Sequence, residues 1–345
     1  MKEKIYGLLR QLCEAEGVSG DEKQAAACAE RFLSGFAKTR YTPLGSLTAQ
    51  VCPGAPGAPH LLLTAHIDQI GLIVTQTAEK GFLRAAAVGG FDRRILAGQR
   101  VTVHTAKGGY PAVIASTPPH LQAGEEKAPE TDGVLLDTGC TPKEAEALFA
   151  PGDFVTLHGV FRTLAGGRIS SPALDDRAGC AAVLAAAEML AKAPPACRVS
   201  VLLSSQEETH GAGALSAMQA LKPDVALAVD VSFAAACGVP AHRCGELSKG
   251  PMIGFAPVLS PRVSRRLVRL AKELDMPFQT EVMSGATGTD ADQIASAGHG
   301  AVTGLLSIPQ RYMHTPVETV DIGDIEAAAR LMAAFAKEAH EYAAG

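Results

Sequence analysis

The 345-residue sequence contains no apolar run long enough to span a membrane, because charged residues interrupt its alanine-rich stretches. No short apolar core with a small-residue cleavage site follows the first helical segment, so we expect no signal peptide and a cytoplasmic location. Positive charge is not in excess either, and the net charge of −5 argues against nucleic acid as a partner. Tandem repeats and low-complexity tails are also absent.

Closely spaced cysteine pairs are missing as well. The eight cysteines are scattered, none belongs to a Cys-x-x-Cys pair, and several lie inside apolar runs. Cysteine packs as a small hydrophobic residue. We therefore expect buried, reduced thiols rather than a disulfide framework.

The length of the chain predicts two domains, or one domain with a large insertion. The first residues have the pattern of an amphipathic helix, and the capping-box sequence SGDE at 19–22 predicts a second helix that runs toward Ser34. An apolar strand then ends at His66. From 69 to 165, strand-like segments separated by glycine-rich turns predict a small all-β module.

After residue 166 the pattern changes to short apolar strands that alternate with helices. Helices are predicted over 176–192, 211–221, 261–274 and 325–342. This alternation is typical of an α/β fold with a mostly parallel sheet flanked by helices. The prediction is therefore an α/β domain made of residues 1–68 and 166–345, with residues 69–165 inserted as a small all-β domain.

Six ionisable residues lie where predicted strands or turns end, and ligands of open α/β sheets bind at the carboxyl ends of the strands. Two imidazoles and three carboxylates can hold two divalent metals, and the fourth carboxylate is then left as a base. This is the minimal equipment for hydrolysing an amide with metal-activated water. The six residues are His66, Asp175, Glu207, Glu208, Asp230 and His314.

Each of these residues has a simpler explanation when it is considered alone. A single histidine is more often a surface or hydrogen-bonded residue than a ligand, and an aspartate before a helix, such as Asp175, is usually an N-cap. Glu207, Glu208 and Asp230, however, follow or interrupt apolar strands, where carboxylates are costly without a counter-charge. A metal cation would supply that charge for all of them.

The order of several short motifs resembles the tetrahedral (TET) aminopeptidase family, dinuclear metallopeptidases of the glutamyl aminopeptidase type that are sometimes labelled cellulase or endoglucanase. The resemblance extends through nearly the whole chain. Its segments are SGDE at 19–22, AHIDQIG at 65–71, GVLLDTG at 133–139, PGDFV at 151–155, ALDDRAG at 173–179, SQEE at 205–208, VD at 229–230, GTDAD at 288–292 and RYMHTPVE at 311–318.

The resemblance implies a ligand set for two divalent ions, Zn²⁺ or Co²⁺, in each subunit. Asp175 would bridge the two ions. His66 and Asp230 would complete the first site, and Glu208 and His314 would complete the second.

The resemblance also implies the remaining catalytic roles and the assembly. Glu207 would be the general base, and Asp68 would orient the His66 imidazole. A cis peptide bond would join Asp175 to Asp176. The inserted β module would be a PDZ-like dimerisation domain, and dimers would assemble into a hollow homo-dodecamer that acts on short peptides.

The predicted function is therefore removal of N-terminal residues from short peptides by a metal-dependent aminopeptidase. A metal-dependent amino-acid deacylase could use the same ligands, and a catalytically silent assembly or binding protein is the alternative outside the hydrolases. Imidazole and carboxylate ligands suit both zinc and cobalt. The sequence leaves the preferred N-terminal residue open.

Overall fold

A computed structural model describes residues 1–121 and 133–343 of the chain. Its helices are α1 (Lys2–Glu14), α2 (Lys23–Leu33), α3 (Pro142–Leu148), α4 (Leu174–Lys192), α5 (Glu207–His210), α6 (Ala212–Leu221), α7 (Pro261–Glu273), α8 (Asp290–Ser296) and α9 (Ile322–Ala336). None of these helices is both long enough and apolar enough to cross a lipid bilayer.

The strands form one large sheet, one small sheet and one barrel. In chain order they are β1 (Lys38–Tyr41), β2 (Leu47–Cys52), β3 (His60–His66), β4 (Gly71–Thr77), β5 (Leu83–Val88), β6 (Arg100–Thr105), β7 (Gly108–Ile114), β8 (Val134–Asp137), β9 (Phe154–Leu157), β10 (Arg162–Thr163), β11 (Ile169–Ser171), β12 (Arg198–Ser204), β13 (Val225–Phe233), β14 (Met252–Phe255), β15 (Gln279–Val282), β16 (Val302–Gln310) and β17 (Glu318–Val320).

The large sheet has the strand order β1-β2-β12-β3-β13-β16-β14-β15. Its four central strands are parallel, which confirms the predicted α/β class. The edges differ from the centre, because β2 runs antiparallel to β12 and β14 runs antiparallel to β16. The sheet is therefore mixed, with a parallel core.

Helices cover both faces of this sheet, and the alternation of side chains along β3 shows why. Leu61 and Leu63 pack into the large core with α1, α4 and α9. Leu62 points to the opposite face and packs with Ala217 of α6 and Ile294 of α8. Every residue of β3 is buried, as expected for a central parallel strand covered on two sides.

The predicted all-β module is a closed barrel of antiparallel strands in the order β4-β5-β8-β7-β6-β9. It has an apolar core of its own, which includes Leu72, Leu83, Val103 and Leu136. The small barrel is present, whereas its PDZ-like identity is not confirmed, and the domain boundaries stay a prediction. Strands β10 and β11 follow the barrel in the chain, and they form a short antiparallel sheet with β17.

Two helix predictions were partly wrong. The capping box was expected to open a helix at Ser19, but α2 begins at Lys23. Glu22 is buried, and its Oε1 accepts hydrogen bonds from the backbone of Gly20 at 2.6 Å and of Gln206 at 3.1 Å, so a tertiary contact replaces the local cap. The helix predicted to end at Tyr342 stops at Ala336 and is followed by a short 3-10 turn.

The thiols follow the prediction in part, because Cys140 and Cys244 are only half-buried and Cys237 is exposed. All eight cysteines are free, and five of them are buried. Cys180, inside α4, donates from Sγ to the backbone oxygen of His66 at 3.0 Å. Its burial raises its thiol pKa well above the ordinary value, which suits a packing residue rather than a nucleophile.

A buried histidine lies at the opposite end of β3 from His66. Arg198 Nη2 donates to His60 Nδ1 at 2.5 Å, and His60 Nε2 contacts Ser200 Oγ at 2.8 Å. Burial and the Arg198 charge lower the pKa of His60 to about 4, from an ordinary value of 6.5. The folded state thus keeps this ring neutral where the unfolded chain would take up a proton.

This difference predicts a specific acid sensitivity. A group whose pKa is lower in the folded state stabilises the protein above its unfolded pKa and loses that contribution as the pH falls from about 6.5 toward 4. Between pH 7 and pH 4.5, we expect wild type to lose about 2 kcal/mol more unfolding free energy than His60→Gln. Urea denaturation at both pH values measures this, with exposed His299→Gln as the control. Identical pH dependence of wild type and His60→Gln would contradict it.

Candidate active site

The carboxyl ends of the parallel strands bring the predicted residues together at one rim of the large sheet. His66 ends β3 and lies opposite Ser204, which ends β12. Glu207 and Glu208 follow β12 in the short helix α5. Asp230 lies in β13, which pairs with β3 on its other side. The expected convergence of these segments is confirmed, and it follows from the parallel order of the strands.

Five of the residues form two groups of three that share Asp175. His66, Asp175 and Asp230 make the first group, and Asp175, Glu208 and His314 make the second. Within each group, one ligand atom from every residue lies within 4.8 Å of the others. His66 Nε2 is 3.0 Å from Asp175 Oδ1, and His314 Nε2 is 3.2 Å from Glu208 Oε2.

Glu207 belongs to neither group, but it lines the same cavity as the other five residues. This cavity has a volume of about 400 Å³. Gly211, Thr289 and Gln293 contribute to its lining away from the five-residue cluster. Glu207 therefore lies beside the two groups, in a cavity that Asp290 and Asp292 also line and that has room for a small substrate.

The two neighbouring aspartates have different surroundings. Asp175 belongs to both groups, whereas Asp176 belongs to neither. Asp176 Oδ1 accepts a hydrogen bond from the backbone of Gly179 at 2.8 Å, so the helix-capping explanation fits Asp176 rather than Asp175. The peptide bond between the two residues is cis, as the family resemblance implied.

Asp68 contacts the backbone of the glutamates as well as the histidine. Its two carboxylate oxygens accept hydrogen bonds from the backbone N–H groups of Glu207 and Glu208, each at 3.1 Å. His66 Nδ1 lies 3.2 Å from the Asp68 backbone oxygen and 3.6 Å from Asp68 Oδ1. Asp68 therefore holds the turn that carries both glutamates, in addition to facing the imidazole.

Sequence reasoning missed Glu318, which is 2% exposed at the start of β17. Its carboxylate accepts hydrogen bonds from the backbone N–H groups of Asp175 at 3.0 Å and of His314 at 2.9 Å. The available signal was a glutamate in the apolar segment that follows the histidine motif, four residues after His314. Asp290, at the start of α8, was missed too, and it accepts a hydrogen bond from Ser204.

The site concentrates negative charge in a buried region. Burial raises the pKa of Glu207 to about 8 and that of Asp290 to about 6. Burial opposes the charge on His314, but contacts with Asp175 and Glu208 outweigh it and raise the His314 pKa to about 11. Among the described residues around them, Glu207 and Asp290 have too few cationic side chains to balance their negative charge. Such a cluster of acids favours bound cations.

The donor atoms fit divalent metals by chemical type, and one of them has no other partner. Each group combines one imidazole nitrogen with carboxylate oxygens, a mixture that suits zinc and similar ions. Glu208 Oε1 is buried and has no hydrogen-bond partner. A buried carboxylate oxygen without a partner is costly, and a bound cation would compensate for it.

Comparison with known proteins decides the family. Residues 45–331 match the model of a family described as M42 glutamyl aminopeptidase. The chain belongs to this M42 aminopeptidase family. A lysyl aminopeptidase of Pyrococcus furiosus is 31% identical to it over 96% of this chain and 97% of that protein. The predicted resemblance is therefore confirmed.

Solved structures of two archaeal peptidases share the fold across nearly the whole chain. An aminopeptidase from the archaeon Desulfurococcus kamchatkensis is 33% identical, with a TM-score of 0.92 over 99% of this chain and 97% of that one. The TET1 peptidase of Pyrococcus horikoshii, which can assemble into a tetrahedron or a large octahedral shell, is 31% identical, with a TM-score of 0.87 over 97% of this chain and 99% of that one.

The inserted barrel of this M42 aminopeptidase reaches the rim of the sheet. After β5, the chain turns at Gly89 and Gly90 and passes beside the second group. A Cβ atom added at Gly90 would lie 3.2 Å from His314 Nδ1, which is tighter than nearly all ordinary contacts. Glycine at this position therefore lets the barrel loop pack directly against a residue of the cluster.

Proposed function

We propose that this chain is a dinuclear metal-dependent aminopeptidase with one ion in each of the two groups. Asp175 would bridge the ions, His66 and Asp230 would complete one site, and Glu208 and His314 would complete the other. The observation that carries this proposal is the pair of three-residue groups sharing one carboxylate, with Glu207 left free beside them.

The ions, Zn²⁺ or Co²⁺, would supply Lewis acidity that activates water and polarises the scissile carbonyl. Glu207 would take the proton from the attacking water and deliver it to the leaving amine. Burial raises the pKa of its carboxyl, which strengthens it as a proton acceptor, and the positive charge of the bound ions would oppose that rise and keep it ionised. Asp68 would keep Glu207 and Glu208 in place through their backbone N–H groups.

The names of relatives support peptide N-termini as substrates. The Pyrococcus furiosus relative is a lysyl aminopeptidase, and a Lactococcus lactis relative that is 25% identical is a glutamyl aminopeptidase. These two names differ in the residue removed, so they support the reaction and not one side chain. We propose short peptides as substrates, in the cytoplasm.

The reaction is tested with two substrate sets on protein loaded with zinc or cobalt. Amino-acid p-nitroanilides carry the free amine of a peptide N-terminus, whereas N-acetyl amino acids report deacylation. We expect turnover of one or more anilides, none of the N-acetyl compounds, and loss of activity after EDTA. Turnover of only the N-acetyl compounds would identify a deacylase. Metal binding without turnover in either set would favour a silent binding protein.

The adjacent glutamates should behave differently when each is replaced by its isosteric amide. Glu207→Gln should keep both metals and the fold but lose at least about a hundredfold in kcat, because a general base is lost. Glu208→Gln should lose metal from one site. Elemental analysis together with kcat measurement checks both expectations. If Glu207→Gln loses metal and Glu208→Gln keeps it, the two assignments must be exchanged.

We further propose that dimers of this chain, formed through the inserted barrel, assemble into a homo-dodecamer that encloses the active sites. Support comes from the TET1 peptidase of Pyrococcus horikoshii, whose dodecamer has been solved and whose chain shares this fold. A closed shell repeats one subunit under point-group symmetry, with a second interface that joins the dimers. It would exclude folded proteins from the cavity and admit short peptides.

The mass of the particle tests the assembly independently of the chemistry. Twelve chains of 35.6 kDa would give a particle of about 430 kDa. Light scattering of metal-loaded protein at micromolar concentration should show this mass, and EDTA should shift it toward dimers if metal binding orders the surrounding loops. A stable monomer or dimer in the presence of metal would contradict the dodecamer.

A further inference from the structure

Glu318 joins two loops that bring ligands to the rim from distant parts of the sequence. Strands β11 and β17 pair in antiparallel fashion, with Glu318 opposite Ser171. The chain leaves β11 after Ser171 and reaches Asp175 four residues later. It passes His314 four residues before it enters β17. The Glu318 side chain therefore stands where these two loops run side by side.

The carboxylate of Glu318 accepts a hydrogen bond from the backbone of each loop. Oε2 accepts from the Asp175 N–H at 3.0 Å, and Oε1 accepts from the His314 N–H at 2.9 Å. These bonds use both oxygens of one rigid group, so they fix the two backbone positions relative to each other. Both of these hydrogen bonds are with main-chain atoms, so the Asp175 and His314 side chains stay free to face the cavity.

The His314 backbone needs this support. Its φ angle is 60°, in the left-handed region that residues other than glycine rarely adopt. A hydrogen bond from its N–H to a buried carboxylate favours this conformation over extended alternatives. Asp175 also has a non-helical backbone, although it lies within the first turn of α4. One carboxylate thus holds a residue with a left-handed backbone and a residue whose extended backbone interrupts the start of α4.

We propose that Glu318 is a positioning residue that sets the separation of Asp175 and His314, and with it the affinity of the Asp175–Glu208–His314 group for its ion. This inference rests on the proposed metal-dependent function. Glu318 contacts two of the three residues of this group and only one residue of the His66–Asp175–Asp230 group. Replacing Glu318 should therefore lower the metal affinity of the two groups by different amounts.

The test is Glu318→Gln, which keeps the size of the side chain but offers one acceptor oxygen in place of two. The amide NH₂ then faces a backbone N–H, so one of the two bonds must break. In calorimetric titration of EDTA-treated protein with Zn²⁺, we expect one of two equivalents to bind about 10- to 100-fold more weakly, as for other residues that support metal ligands. The other equivalent should change by less than about threefold.

Activity gives a second readout that a purely structural role would not produce. The kcat of Glu318→Gln should approach that of wild type at saturating Zn²⁺, while the Zn²⁺ concentration for half-maximal activity rises by the same factor as the weakened dissociation constant. Glu318→Asp keeps two acceptor oxygens on a shorter stem. In Glu318→Asp, the zinc dissociation constant of the same equivalent should rise, but by a smaller factor. If Glu318→Gln does not fold, Glu318→Asp provides the measurement.

Asp324→Asn is the matched control. Asp324 is 1% exposed, and its two oxygens also accept from backbone N–H groups, of Gly250 at 2.7 Å and of Ser248 at 2.8 Å. It lies outside both groups. We expect it to lower the unfolding temperature of the EDTA-treated protein while leaving both zinc affinities unchanged.

The outcomes separate this inference from the proposed function. If wild type binds two zinc ions and Glu318→Gln or Glu318→Asp binds both as tightly as wild type, the positioning role is overturned and the dinuclear function stands. If both equivalents weaken equally, the proposed selectivity is overturned. If wild type itself binds no zinc, the dinuclear function fails, and this inference fails with it.

Discussion

Burying many carboxylates at one rim of a sheet is the constraint on which this structure depends. Carboxylates from several separate elements meet there, with two imidazoles among them, and most of these groups are removed from water. Mutual repulsion and lost hydration oppose that arrangement. Fixed backbone dipoles, protonation of some of the acids and bound cations can each compensate for this cost, and the first of them is visible throughout the site.

Backbone N–H groups supply the fixed part of this compensation. Asp68 accepts two of them from the turn after β12, and Glu318 accepts two from the loops around β11 and β17. In each case a carboxylate next to the cluster holds the main chain of the residues whose side chains face the cavity. The cluster is thus built from two tiers of acids. One tier faces the cavity, and the other holds the backbone of the first.

Sequence reasoning predicted the parts of the molecule that local patterns determine. The apolar strand ending at His66 and the alternation after residue 166 indicated the parallel core, and the parallel core placed His66, Glu207 and Asp230 at one rim. The family resemblance supplied the role expected of His314 and the choice of Asp175 over Asp176. The antiparallel strands β2 and β14 were not predicted, because edge pairing depends on contacts between segments far apart in the chain.

The same limit explains the errors at Glu22 and Glu318. Both side chains bond backbone groups of distant segments, and no spacing in the sequence records such partners. Glu22 resembled a local cap and instead contacts the turn that precedes Glu207. Local rules interpreted Glu22 as an ordinary helix cap and did not single out Glu318, and only the tertiary structure shows what these side chains hold.

At Gly90, the loop after β5 packs against His314, so the inserted barrel also forms part of the candidate active site. An appendage used only to join subunits could change its tilt or its loop lengths without consequence for chemistry. Here the loop after β5 forms part of the wall beside His314, so any drift of the barrel displaces that wall. The barrel and the cluster therefore share one surface, and an insertion at positions 89–91 would displace His314 more than an insertion at the far end of the barrel.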